Sequence, residues 1–225
     1  MKYTTLYFDL DNTLLDFSAS EKSAILRLLS LHDIEPRSEY ANIYSAINRK
    51  VWERFERGEI KRQDIYESRF VEFLAAIGKN ADTAKMSEDY FSLLAQGHDV
   101  IKGAKEVLEY VKKKGYTVCV ITNGVALTQH KRLRESGLEH FFDFVFISEE
   151  TGYQKPDKRY FEYVINNTPE KDRKKILVIG DSITSDITGG INAGIDTCWY
   201  NPEGKKSEVT PTFEIRNISK LTGIL

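Results

Sequence analysis

The sequence predicts an α/β protein: a parallel β-sheet covered by helices and interrupted, after its first strand, by a long helical insertion. Three observations carry this. Short apolar runs rich in β-branched and aromatic residues recur along the chain, as strands buried on both faces require. Helical patterns lie between the later runs, and strand alternating with helix argues for parallel pairing. Between the first run and the second the pattern is helical throughout.

The first strand is expected at Thr4–Phe8 and leads directly into Asp9. From Ser20 to Gln96 the chain reads as helix after helix, with Ile43, Ile47, Val51 and Phe55 forming an apolar stripe at helical spacing. Gly58, Gly78 and Gly97 supply stops. The core resumes near "GHDVIKGAKEVLEYVKKKG", a helix feeding a second strand at Thr117–Ile121. Strands at Phe144–Ile147, Ile176–Ile179 and Asp196–Tyr200 follow, with helices expected over Thr128–Ser136, Lys158–Asn166 and Ser185–Ala193. These boundaries predict a core formed by residues 1–16 and 98–225 and an inserted helical domain over 17–97.

A chain of 225 residues suits one core with a large insertion. Hydrophobic residues at 41% and charged residues at 29% match an ordinary globular balance. Lysine and arginine total 32 against 34 acidic residues, a net charge of -2, so there is no electrostatic footprint for nucleic acid or an anionic membrane. Any acidic substrate must be attracted locally. No apolar run approaches the ~18 residues of a membrane span, and the N-terminal stretch lacks a signal-peptide core. A cytoplasmic location is expected, as a monomer or weak homodimer without a nucleic-acid or membrane partner. Cys119 and Cys198 sit in separate strand-like runs and read as buried hydrophobes.

The chemistry begins at "FDLDNTLLDF". Asp9 and Asp11 are two apart at a strand end, so both carboxylates can face the crevice where open α/β sheets bind ligands. Charges that close raise each other's proton affinity unless a cation intervenes, and a hard divalent ion such as Mg²⁺ resolves the conflict. A lone D-x-D is also compatible with a solvated turn. An EF-hand loop is excluded, because Leu14 and Ser20 stand where its glycine and glutamate belong. The later strand ends add weight. "ITNG" places Thr122, Asn123 and Gly124 before a helix start, where backbone amides suit a phosphate. "GYQKPD" places Lys155 before Pro156, and "IGDSITSD" supplies Asp181 and Asp186.

Together, Asp9/Asp11/Thr13, Thr122, Lys155 and Asp181/Asp186 resemble, in order, the motif set of the haloacid dehalogenase superfamily. The match covers the whole core, and the insertion resembles that family's α-helical cap. The resemblance implies a haloacid-dehalogenase-like Rossmannoid core and assigns roles. Asp9 is the nucleophile that forms an aspartyl-phosphate, and Asp11 donates and then accepts a proton. Mg²⁺ sits on Asp9, Asp11 (through its backbone carbonyl) and Asp181. Thr122, Asn123 and Lys155 bind the phosphoryl group, while Thr13 and Asp186 steady these groups from behind. The carboxylate at Asp11 also argues against halide chemistry, since a halide leaves without a proton. Asn12 departs from the glycine often found between Asp11 and Thr13.

The segments "ITNG…QHKRLRESGL…FFDFVFISEETGYQKP", "GGINAGIDTCWYNP" and "PTFEIRNISKL" resemble the bacterial house-cleaning pyrimidine 5′-nucleotidases. That implies a small phosphomonoester substrate, a (deoxy)pyrimidine nucleoside monophosphate. Asn48 and Trp52 in the insertion are candidates to face the leaving group, against core packing as the alternative. "GGINAG" does not form a dinucleotide fingerprint, and close helix–strand packing is its expected purpose. The sequence leaves open a sugar-phosphate phosphatase or phosphomutase with the same core. A phosphoacceptor signalling module gathers similar groups but leaves the helical insertion unexplained.

Overall fold

A computed structural model describes residues 2–225. Its sheet has six strands, all parallel: β1 (Thr5–Phe8), β2 (Thr117–Thr122), β3 (Phe144–Ile147), β4 (Ile176–Gly180), β5 (Asp196–Tyr200) and β6 (Phe213–Ile215). Their order is β3-β2-β1-β4-β5-β6. The helices are α1 (Phe17–Leu31), α2 (Ser38–Glu56), α3 (Arg62–Ile77), α4 (Thr83–Leu94), α5 (Ala104–Lys113), α6 (Ala126–Glu135), α7 (Ser148–Thr151), α8 (Lys158–Asn166) and α9 (Thr188–Asn192).

Strand periodicity separates two cores on the sheet's two faces. Leu6, Phe8, Val118, Val120, Leu177 and Ile179 pack with Val107, Leu108 and Val111 of α5. Tyr7, Cys119, Ile121 and Val178 pack on the other face with Tyr160, Phe161 and Val164 of α8. Cys119 and Cys198 are free, buried thiols in opposite cores. β6 is an addition to the predicted strands. The helix expected over Ser185–Ala193 begins instead as a π-helical turn, Ile183–Ile187, that runs into α9. The glycines there serve close packing, since a Cβ on Gly189 would lie 2.4 Å from Phe161 and one on Gly190 2.5 Å from Thr197.

The chain divides into two compact units, one reaching to Asp16 and resuming over Val100–Leu225, the other Phe17–Asp99. Leu15 bridges Val100 in antiparallel fashion, and Ile101 N–H donates to Leu14 O at 2.9 Å, so the chain leaves and rejoins the core side by side. In the helical unit α1 to α4 enclose Ile25, Leu28, Tyr44, Phe70, Phe73, Met86 and Tyr90. Asp82 caps α4 by accepting from Ala84 and Lys85 N–H, and Gly78 closes α3 in the left-handed region. The buried stripe of α2 differs from the predicted one. It runs Ala41, Tyr44, Asn48, Val51 and Phe55, leaving Ile43 and Ile47 half-buried at its border. Among the described residues, no helix is long and apolar enough to cross a membrane.

Candidate active site

The sheet brings the predicted site residues together through register. Phe8 pairs with Val120 on one side and Ile179 on the other, so Asp9, Thr122 and Asp181 all emerge just past the same level of three adjacent strands. β1 is the strand where the order reverses, and its carboxyl end is the switch-point crevice of an open α/β sheet. Asp9 N–H still donates to Ile179 O at 2.8 Å, which holds that residue against β4.

Lys155 is the centre of the charge arrangement. It is 1% exposed, and its Nζ donates to Asp9 Oδ1 at 2.6 Å, Asp186 Oδ1 at 2.7 Å and Ile121 O at 2.9 Å. Those three acceptors use all three ammonium hydrogens. Asn123 secures the backbone beneath it: its Nδ2 donates to Lys155 O at 2.8 Å, and Lys155 N–H donates to its Oδ1 at 2.9 Å. The Asn123 side chain, predicted as a phosphate ligand, therefore spends its carboxamide on positioning Lys155.

Thr122 Oγ1 accepts from Gly124 N–H at 3.1 Å and from Gln129 Nε2 at 2.9 Å, which directs its own hydrogen to donate elsewhere. Asp186 is fully buried; its Oδ2 accepts from Ser182 N–H at 3.1 Å. Thr13 is buried too, and its hydroxyl lacks a hydrogen-bond partner.

Asp9, Asp181 and Asp186 each present an oxygen within 4.8 Å of the others. Burial pushes the Asp9 carboxyl up to about 8; the Lys155 ammonium opposes this, and Asp186 and Asp11 add to the rise. Desolvation, then the charges of Asp9 and Asp186, likewise hold Asp181 well above its ordinary range. Burial disfavours the Lys155 charge, but Asp186 and Asp9 outweigh it and keep the ammonium protonated. One ammonium among three carboxylates leaves negative charge uncompensated. A cluster of hard oxygens with that excess fits a small divalent cation such as Mg²⁺.

The Asp11 carboxylate lies outside this cluster. It turns to α6, where Arg132 Nη1 donates to its Oδ1 and Gln129 Nε2 donates to its Oδ2 at 2.8 Å. Of the predicted metal set, Asp11 thus has its carboxylate engaged by α6. Gln129 and Arg132 are site residues that the sequence reading missed, and so is Trp199, whose indole N–H donates to Asp181 O at 2.8 Å. The available signal was the face of α6: Thr128, Gln129, Arg132 and Leu133 are its buried residues, a mostly polar set on a core helix.

Asn48 and Trp52 lie in the helical unit. Asn48 is 2% exposed; its Nδ2 donates to Glu21 Oε1 at 2.7 Å and its Oδ1 faces Arg69 Nη1 at 3.5 Å. Trp52 packs edge-on against Phe55.

The family described as haloacid dehalogenase-like hydrolase matches residues 3–194. Among curated proteins, the HAD-hydrolase YfnB of Bacillus subtilis is 42% identical over 100% of this chain and 96% of its own. The pyrimidine 5′-nucleotidase PynA of Streptococcus pneumoniae is 36% identical, covering 100% of this chain and 96% of its own. The pyrimidine 5′-nucleotidase YjjG of Escherichia coli is 31% identical, covering 100% and 99%. A crystal structure of YfnB bound to magnesium superposes with a TM-score of 0.94 at 41% identity, covering 100% of this chain and 99% of that one.

Proposed function

The chain belongs to the haloacid dehalogenase-like hydrolase family, and from that premise we propose that it is a Mg²⁺-dependent 5′-nucleotidase acting on (deoxy)pyrimidine nucleoside monophosphates through an aspartyl-phosphate. The observation that carries the reading is the Lys155 ammonium held between Asp9 and Asp186, beside Asp181, at the carboxyl ends of adjacent strands. The substrate class rests on the full-length likeness to PynA and YjjG.

A carboxylate oxygen of Asp9 attacks phosphorus as the bond to the ester oxygen breaks. Lys155, already hydrogen-bonded to Asp9, favours the ionised form of the nucleophile against its burial, orients it and offsets charge on the transferring group. Thr122 contributes its hydroxyl hydrogen to a phosphoryl oxygen. Asp11 gives its proton to the departing oxygen, then takes one from the water that attacks the phosphorylated Asp9, which regenerates the free carboxylate and releases phosphate. Asp9, the Asp11 backbone carbonyl and Asp181 would hold Mg²⁺, while Asp186 steadies Lys155. When bound, the ion supplies neutralisation of charge on the phosphoryl oxygens.

The test is phosphate release from dUMP, dTMP, UMP, purine monophosphates and sugar phosphates, with Mg²⁺, with chelator, and in Asp9→Asn. Mg²⁺-dependent turnover concentrated on the pyrimidine nucleotides and lost in Asp9→Asn is expected. Turnover confined to sugar phosphates would overturn the substrate class; full activity in Asp9→Asn would overturn the mechanism.

A further inference from the structure

We propose that Gln129 and Arg132 are positioning residues that clamp the Asp11 carboxyl group for proton transfer and tie its orientation to the phosphate-binding Thr122. The proposal rests on the phosphomonoesterase reading above, in which Asp11 handles the proton.

Each oxygen of Asp11 has its own donor: Oδ1 accepts from Arg132 Nη1 and Oδ2 from Gln129 Nε2 at 2.8 Å. A carboxyl group held at both oxygens has a fixed plane. The two donors are themselves locked together, because Arg132 Nη1 also donates to Gln129 Oε1 at 3.1 Å. They stand at i and i+3 on α6 and so share one helix face. Both are buried, Gln129 at 3% exposure and Arg132 at 0%. Burying a guanidinium is costly, and here one of its nitrogens is aimed at the Asp11 carboxylate.

The same carboxamide reaches a second site residue. Gln129 Nε2 donates to Thr122 Oγ1 at 2.9 Å as well as to Asp11. The amide nitrogen thus spends both hydrogens on two groups that meet the substrate, one at the phosphoryl oxygens and one at the leaving oxygen. Gly124 provides the room: a Cβ there would lie 2.5 Å from the Gln129 carboxamide carbon and nitrogen. The glycine of "ITNG" therefore admits the clamp.

A group that only supports the fold would affect all substrates alike. A group that orients the proton donor matters in proportion to how badly the leaving oxygen needs a proton. The experiment compares kcat/KM on dUMP, whose alkoxide needs protonation, with p-nitrophenyl phosphate, whose phenolate leaves unaided. Should dUMP not be turned over, a sugar phosphate takes its place. Gln129→Met keeps side-chain length without the amide, and Arg132→Lys keeps the charge should the first variant fold poorly. Thermal unfolding of each is followed in parallel.

The expected result is that the ratio of kcat/KM for alkyl ester over p-nitrophenyl phosphate falls about 10- to 100-fold, within the range that acid–base catalysis contributes. Folded variants that lose both substrates in parallel, or lose neither, would overturn the clamp while leaving the phosphatase reading intact. A wild-type enzyme that hydrolyses no ester overturns both.

Discussion

A Cβ placed on Gly180 would meet Asp186 Oδ2 at 2.1 Å. That oxygen accepts from Ser182 N–H, and the other oxygen of the same carboxylate accepts from Lys155 Nζ. The last residue of β4 must lack a side chain so that the Asp186 carboxylate can lie against the strand end. The Gly180→Ala substitution is therefore expected to displace Asp186, loosen Lys155 and lower kcat/KM about 10- to 100-fold, the usual cost of disturbing partners behind a metal site. Steady-state kinetics on the preferred ester checks this. Wild-type kinetics in Gly180→Ala would mean the carboxylate has other room.

Lys155 and Asp9 should respond unequally to neutralisation. Lys155→Met leaves the buried Asp186 and Asp9 carboxylates without their shared cation, a loss of about 3–5 kcal/mol for a broken buried pair. Asp9→Asn removes a carboxylate whose charge is disfavoured by burial first and by its acidic neighbours second, while Lys155 keeps Asp186. Urea unfolding without added metal is expected to show Lys155→Met clearly destabilised and Asp9→Asn close to wild type. Equal destabilisation would contradict this account of the charges.

Most of the core was legible in the sequence because buried parallel strands declare themselves as apolar runs ending in chemistry. The run ending at Asp9 and the one ending at Asp181 have the positions expected of them. β6 was not legible: it is three residues long, "FEI", with an exposed Glu214, and lies at the sheet edge where an apolar run is not required. The stripe on α2 was read through Ile43 and Ile47, yet Tyr44 and Asn48 occupy the buried face, Tyr44 stacking on Phe70 and Asn48 bonding Glu21. Hydrophobicity alone misplaces a face whose core is partly polar. The α6 clamp was hidden for a related reason. "ALTQHKRLRE" looks like a solvated surface helix until Asp11 is known to lie opposite Gln129 and Arg132.

Away from the site, Asp143 makes acid stability readable. It accepts from Lys112 Nζ at 2.6 Å and from Val118 N–H at 2.9 Å, tying the end of α5 to β2. Burial pushes its carboxyl up, but the Lys112 ammonium and the Val118 amide outweigh that and leave it below the ordinary value of about 4. A folded-state pKa below the unfolded one contributes stability that is present above the unfolded value and lost as pH falls through the folded one. Asp143→Asn is expected to cost about 1 kcal/mol or less at pH 7, since the pair is part-exposed, and the gap to wild type should close in acid. Denaturant melts across that range decide it, and a gap that persists unchanged in acid counts against the ion pair.

Trp199 supports the acidic cluster from the neighbouring strand. It is 4% exposed on β5, and its indole N–H donates to the Asp181 carbonyl at 2.8 Å, fixing the backbone from which the Asp181 carboxylate projects. Ligand binding to the folded state raises stability by mass action, about 2.7 kcal/mol at a hundredfold excess over Kd, so Mg²⁺ should raise the Tm of the wild type. Asp181→Asn removes a ligand of the cluster and should abolish most of that rise. Trp199→Phe keeps an aromatic ring in the strand but loses the donor. It is expected to weaken Mg²⁺ about 10-fold, shifting the dependence of Tm on Mg²⁺ to higher concentration while the metal-free Tm moves little. A Trp199→Phe variant that follows the wild-type Mg²⁺ dependence would show that the Asp181 backbone holds its place without the indole.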